Sequence, residues 1–254
     1  MLANLRRRAG AFDEAADLLE RSVATFRETR SPQSESNVLW TLGQIRLAQG
    51  RHEEAAELLE RTLLLCREVG TRHGIAGALG VLGSVRLAQG QVTVAAELLR
   101  ESMAIFQAIG HRTGAATAQH YLARTRHLTG DDVAARELLT AAIATFEQSG
   151  EQESSAGAWN TMGELVLASE GADAALPWYR KALTTARELD AGALQAEALE
   201  GVARCLADAD PAAAVEAQRE AVDLYRRLAV PELARAEEFL AQLRSPGLAD
   251  RITR

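Results

Sequence analysis

The chain has 254 residues, of which 47% are hydrophobic and 25% charged, ordinary values for a folded protein that exclude intrinsic disorder. A formal net charge of −7 speaks against a general nucleic-acid binder, and no run of about 18 apolar residues is present to span a membrane. Alanine and leucine supply about a third of the chain and aromatic residues 4%, a balance that favours helix over sheet.

The N-terminal stretch MLANLRRRAG carries no apolar core after its charges, so it does not read as a secretory signal, and the cytoplasm is expected. Basic charge is nearly all arginine, with Lys181 the only lysine, which together with the alanine content reads as a GC-rich bacterial source. Cys66 and Cys205 are isolated in apolar helical contexts, too few for a disulfide scaffold and suited to burial in a reducing compartment.

An internal repeat organises the chain. Gly10, Gly50, Gly90 and Gly130 fall at a spacing of 40, and Gly171 follows one residue late. The spacing predicts a half-repeat over 1–30, full repeats over 31–70, 71–110, 111–150, 151–190 and 191–230, a capping helix over 231–244 and a tail over 245–254. The half-repeat starts midway through a first helix, with Leu2 and Leu5 in register with Leu42 and Ile45. Its face is therefore expected to be unprotected, as in a piece of a longer polypeptide or a chain that dimerises through that edge.

In the 31–70 block, Leu39, Leu42, Ile45 and Leu47 follow a helical rhythm, and Ala55, Leu58, Leu59, Thr62, Leu63 and Cys66 follow another. Leu79, Leu82, Val85 and Leu87 repeat the first pattern in the next block. Gly50, Gly90 and Gly130 stand where the first helix of a pair must stop. Pro211 and Pro231 suit a first helical turn, whereas Pro177 falls inside a helix. After Pro231 a helix with Leu233, Phe239, Leu240 and Leu243 facing inward is expected to cap the array, stopped by Ser245, Pro246 and Gly247. The fold class is all-α: a right-handed solenoid of antiparallel helix pairs, with about 13 helices and no strands.

Columns of small residues explain how the helices approach. Gly43, Gly83, Ala123, Gly163 and Ala203 stand twelve residues before Ala55, Ala95, Ala135, Ala175 and Val215. Leu59, Leu99, Leu139 and Tyr179 form a large column beside them, with Arg219 an outlier in a degenerate last block. The spacing resembles the tetratricopeptide repeat, clearest at Trp159, Met162, Gly163, Val166, Ala175, Tyr179 and Ala182, and next at Leu39, Leu42, Gly43, Gly50, Ala55, Leu59 and Thr62. The period of 40 exceeds that family's 34, and its closing proline is replaced by Arg67, Gln107, Glu147, Arg187 and Arg227. The longer repeats are similar to the MalT-like C-terminal regions of large bacterial transcriptional regulators of the antibiotic-regulatory (SARP) and LuxR types.

Catalytic signatures are absent: the chain contains no G-x-S-x-G, no G-x4-G-K-[ST] and no H-E-x-x-H, so no enzyme activity and no cofactor are expected. His120 and His127 share a helix face but lack further ligands for a metal. The acidic pairs Asp13–Glu14, Glu53–Glu54 and Asp131–Asp132 sit where a helix dipole favours negative charge, and Arg6, Arg7 and Arg8 where it favours positive.

The resemblance implies that the first helix of each pair lines a concave groove. It would present Trp40 and Gln44, Gly80 and Ser84, His120 and Arg124, Asn160 and Glu164, and Glu200 and Arg204 to a partner. These positions offer aromatic and arginine anchors and no lysine for a carboxylate clamp. The expected function is therefore a non-enzymatic module binding a peptide or a partner domain, as the regulatory part of a bacterial signalling or transcription regulator. Rival readings are a stand-alone scaffold and a small-ligand or peptide sensor. Neither nucleic acid nor membrane is expected as a partner.

Overall fold

The computed structural model describes residues 9–245, and among these every regular element is a helix. They are α1 (Ala9–Glu28), α2 (Pro32–Ala48), α3 (His52–Val69), α4 (Arg72–Ala88), α5 (Val92–Ala108) and α6 (Arg112–Leu128). The rest are α7 (Asp132–Ser149), α8 (Gln152–Glu170), α9 (Ala172–Glu188), α10 (Gly192–Leu206), α11 (Pro211–Leu228) and α12 (Glu232–Arg244). The 12 helices compare with about 13 expected. Met1, Leu2, Leu5 and Arg6–Arg8 lie outside the described residues, as do Pro246 and Gly247, so the expected N-terminal edge and C-terminal stop fall there too.

The helices form two compact units, divided between Gly150 and Glu151. In the first, α2 packs on α3, α3 on α4 and so on to α7, while the alternate helices α2, α4 and α6 also touch. In the second, α8 to α12 pack in the same serial way, and α8 also meets α10.

The turns explain the regularity. Among the described residues seven glycines have positive φ: Gly50, Gly70, Gly90, Gly110, Gly130, Gly150 and Gly171. The chain thus reverses about every twenty residues, at the end of both helices of a pair and not only the first. At Gly50 the backbone makes the paired bonds that close a helix, Gly50 N–H to Leu47 O at 3.0 Å and Arg51 N–H to Arg46 O at 2.8 Å. Arg30, Asp190 and Ala229 occupy equivalent reversals with φ of 50°, 52° and 51°. Side chains at those three positions carry the steric cost that glycine avoids.

Close packing follows from the small columns. A Cβ on Gly43 would come 2.9 Å from Leu59 Cγ, and one on Gly83 would come 2.7 Å from Leu99 Cγ and 3.4 Å from the Ala95 carbonyl oxygen. Leu59 and Leu99 are completely buried, as are Ala55 and Ala95 beside them. In the second unit Tyr179 replaces leucine, and its ring sits between Gly163 and Gly201: Cβ atoms there would approach to 2.8 and 2.2 Å. Ala135 and Ala175 are likewise buried.

The last pair departs from the forty-residue register. Among the buried residues of α11, Ala214, Gln218, Ala221 and Tyr225 each lie 39 residues after Ala175, Tyr179, Ala182 and Ala186 of α9, with Val222, Leu224 and Leu228 buried beside them. The block is one residue short. Ala214, not Val215, continues the small column, and Gln218, not Arg219, takes the large position. Gln218 is fully buried and its amide donates to Ala236 O on α12 at 2.9 Å, while Arg219 is exposed and pairs with Glu216. Of the residues expected to face inward on α12, Leu240 is buried and Leu233, Phe239 and Leu243 are half-buried. Pro177 lies inside α9, and Pro211 opens α11 behind an Asp210 cap that accepts from Ala213 N–H at 3.1 Å.

Gly83→Leu is expected to cost about 1–3 kcal/mol through overpacking against Leu99, measured by urea unfolding. At the reversals the sign depends on which residue is present: Gly90→Ala should destabilise by about 1–2 kcal/mol, and Ala229→Gly should raise the melting temperature.

Candidate functional site

In the first unit the candidate face is carried by α2, α4 and α6. Trp40 and Gln44 stand on α2, Gly80 and Ser84 on α4, and His120 and Arg124 on α6. Their spacing along each helix puts both residues of a pair on one side, one turn apart. Trp40, Gln44, Ser84 and His120 are half-buried and Arg124 is exposed. The Trp40 indole leans over α4, where a Cβ on Gly77 would lie 3.6 Å from Trp40 Nε1. With Gly77 and Ser84 the middle helix carries little side-chain bulk between Trp40 and the His120–Arg124 pair, while a Cβ on Gly80 would meet Ser102 Oγ of α5 at 3.1 Å. Gly77 was not singled out from the sequence, although it stands one helical turn before Gly80 on the same side.

The polar groups of this face are chemically distinct. Ser84 Oγ donates to Val81 O at 2.8 Å, so its lone pairs remain available to a donor. Gln44 Nε2 is buried without a hydrogen-bond partner, a donor that a bound acceptor would satisfy. The His120 ring stacks on Tyr121 with centroids 5.2 Å apart. Burial, reinforced by the Arg124 guanidinium, pushes its pKa down to about 3. At neutral pH the edge therefore presents one cation, Arg124, beside a neutral imidazole.

In the second unit the same positions are largely tied up internally. Asn160 is buried, and its amide donates to Leu194 O at 3.2 Å and to Glu197 at 3.4 Å. Glu200 is 3% exposed, and its carboxylate accepts from Arg204 at 2.5 Å, Arg235 at 3.2 Å and the Tyr225 hydroxyl at 3.3 Å. Burial works against the Arg204 charge, but the hydrogen bond and attraction of Glu200 outweigh it and hold the guanidinium protonated. Glu164 is exposed on α8. Sequence reasoning placed Glu200 and Arg204 on a face, but nothing in their spacing revealed the contributions of Tyr225 and Arg235 from later helices.

Other chemistry-bearing residues have structural surroundings. His127 Nδ1 lies 2.7 Å from Asp132, and Asp131 caps α7 by accepting from Ala134 N–H at 3.3 Å. Glu53 and Glu54 lie in the first turn of α3, while the side chains of Asp13 and Glu14 lie outside the described set. Cys66 and Cys205 are free and buried, and burial raises the Cys205 thiol. Among the described residues no group of three or more His, Cys, Asp or Glu is arranged to hold a metal ion.

A profile of the tetratricopeptide repeat matches residues 1–70 and 74–148, more than half of the chain. The chain belongs to the tetratricopeptide repeat family. A comparison with curated sequences finds no match. Solved tetratricopeptide-like structures agree on the fold. NprR in complex with its cognate peptide NprX superposes with a TM-score of 0.73 at 13% identity, covering 93% of this chain and 69% of that one. The apo form of RapI gives 0.70 at 15% identity, covering 87% and 84%. BtubC (BKLC) from P. vanneervenii gives 0.58 at 18% identity, covering 92% and 91%. At such identities the likeness establishes the tetratricopeptide fold.

The His120 environment predicts a pH effect. The unfolded chain binds a proton near pH 6.5 and the folded one only near pH 3, so the unfolded state holds more protons between them. This group therefore lowers stability as pH falls from about 6.5 towards 3. His120→Gln should flatten that part of the profile, measured by urea unfolding between pH 6.5 and 4.

Proposed function

We propose that this tetratricopeptide chain is a peptide-binding interaction module whose contact surface is the α2–α4–α6 face. The observation that carries the reading is the small side-chain bulk of α4 at Gly77, Gly80 and Ser84, with Trp40 on the helix before it and Arg124 on the helix after it. An extended segment laid along α4 would find an unpaired amide donor in Gln44, an aromatic wall in Trp40 and a cation for a carboxylate in Arg124. Tryptophan and arginine are the side chains that most often dominate binding energies. The NprR neighbour, solved with its cognate peptide, supports a peptide as the occupant.

The regulatory setting belongs to the same proposal: the module passes a partner's presence to a bacterial signalling or transcription regulator and works in the cytoplasm. Among the described residues no helix is long and apolar enough to cross a membrane. The sensor alternative draws on the same peptide-bound neighbour, whereas the scaffold alternative has no observation of its own. On the second unit, Glu164 and Arg204 are proposed as that unit's own contacts with a partner. Asn160 and Glu200 are read as supports, because the Asn160 amide nitrogen and the Glu200 carboxylate already serve internal bonds.

Selection from a random peptide display library tests the surface. Wild type is expected to enrich peptides carrying an acidic residue. Arg124→Glu should shift that preference towards basic residues, and Trp40→Ala should weaken enriched peptides by about tenfold, the effect of a lost aromatic anchor. Indistinguishable enrichment by wild type and both variants would remove the reading.

A further inference from the structure

A cleft of about 530 Å3 opens between α1 and α3, with α2 as its floor. It is separate from the candidate peptide face. On α2 the residues Glu35, Leu39, Leu42 and Arg46 fall within one stripe, and Trp40 and Gln44 lie on the opposite side of the helix. Leu39 and Leu42 make the floor apolar, and Val23 and Leu58 continue it onto the walls.

The charges of the cleft are segregated by the helices that carry them. On α1, Glu20 precedes Arg27 by seven residues, and on α3, Glu54 precedes Arg61 by seven. Seven residues are two helical turns, about 10 Å along the axis, so each wall presents a carboxylate at one end and a guanidinium at the other. At the basic end both Arg27 and Arg61 converge on one oxygen of Glu35, at 2.8 and 3.5 Å. Glu35 is almost fully buried and both arginines are half-exposed. Two guanidinium groups share one carboxylate, which leaves one positive charge uncompensated. At the acidic end Glu20 and Glu54 approach the buried Arg46 at 2.7 and 3.4 Å, Arg51 reaches Glu54 at 2.6 Å, and Glu57 also lines the cleft. Three carboxylates there face two guanidinium groups.

The next repeat provides an internal comparison. Forty residues on, Arg67 corresponds to Arg27, Glu101 to Arg61 and Ile75 to Glu35. There the arginine pairs with Glu101 across the two helices at 3.8 Å. At the first interface, two like charges stand where the second has an ion pair, and that arrangement keeps the basic end receptive to an anion.

We infer that this cleft is a binding site for an elongated zwitterion, a peptide of about three residues with free termini. The carboxylate sits between Arg27 and Arg61, the ammonium faces Glu20, Glu54 and Glu57, and an apolar middle side chain rests on Leu39 and Leu42. An extended tripeptide spans about 10 Å, which matches the separation of the two charged ends.

Titration calorimetry with the tripeptide Ala-Leu-Ala tests the site. Saturable binding is expected, with about tenfold loss when the peptide is N-acetylated or C-amidated, since each removes one charge-assisted contact. The double variant Glu35→Ile/Arg61→Glu copies the combination that the next repeat already folds with. It should keep the wild-type melting transition and lose binding. Trp40→Ala should bind the tripeptide as wild type does, which separates this site from the peptide face. The proposal is overturned by absence of saturable binding up to about 10 mM, well above the range of a weak specific site. Binding indifferent to both caps, or unchanged in the double variant, overturns it as well.

Discussion

Everything in this protein depends on how closely two helices of a pair can approach. That distance is set where a glycine on the first helix meets a large side chain of the second: Gly43 against Leu59, Gly83 against Leu99, Gly163 against Tyr179. With no Cβ at the crossing, the leucine or tyrosine fills the space to the density of a protein interior. The rest is geometry. Fixed pair spacing keeps alternate helices in contact, and that contact lets α2, α4 and α6 present one shared face. Left-handed reversals about every twenty residues hold the length of each helix constant, so equivalent side chains return to equivalent places.

On this regular frame, function is written in the departures. The α2–α4–α6 face has its least side-chain bulk at α4, which carries glycine and serine where its neighbours carry tryptophan, glutamine, histidine and arginine. The cleft between α1 and α3 differs in charge from the next interface, with Arg61 in place of Glu101 and Glu35 in place of Ile75. In the second unit Asn160 and Glu200, at comparable positions, are engaged in internal bonds. Glu200, itself buried, draws Arg204, Tyr225 and Arg235 into one cluster that joins α10, α11 and α12. A carboxylate buried in this way is tolerated because its lone pairs are occupied.

Much of the architecture was legible in the sequence, because helix pairing depends on periodic apolar residues and on glycine at turns, both visible along a single chain. The small and large columns were visible for the same reason. What remained hidden was whatever depended on the third dimension or on a change of count. The missing residue in the last pair disguised Gln218 as a surface position and promoted Arg219 to a core one. A forty-residue template cannot reveal its own shortening until burial is seen. The candidate face was readable as positions but not as chemistry. That Gln44 has an unpaired amide, that His120 stays neutral and that Asn160 is already bonded depend on neighbours from other repeats.

The seating of Tyr179 between Gly163 and Gly201 has a consequence for how this array comes apart. In repeat proteins each unit contacts only its neighbours, so cooperativity is carried link by link. In the first unit the column leucines fill the hole of their own pair and also pack on the next, Leu59 against Leu82 and Val85 and Leu99 against Leu122. Tyr179 fills holes in two successive pairs with one ring, so α8, α9 and α10 share a side chain that none can release alone. Local opening that begins at α12 and reaches α10 has to free this shared ring. The backbone amides around Gly163 and Gly201 are then among the slowest of the second unit to exchange with solvent.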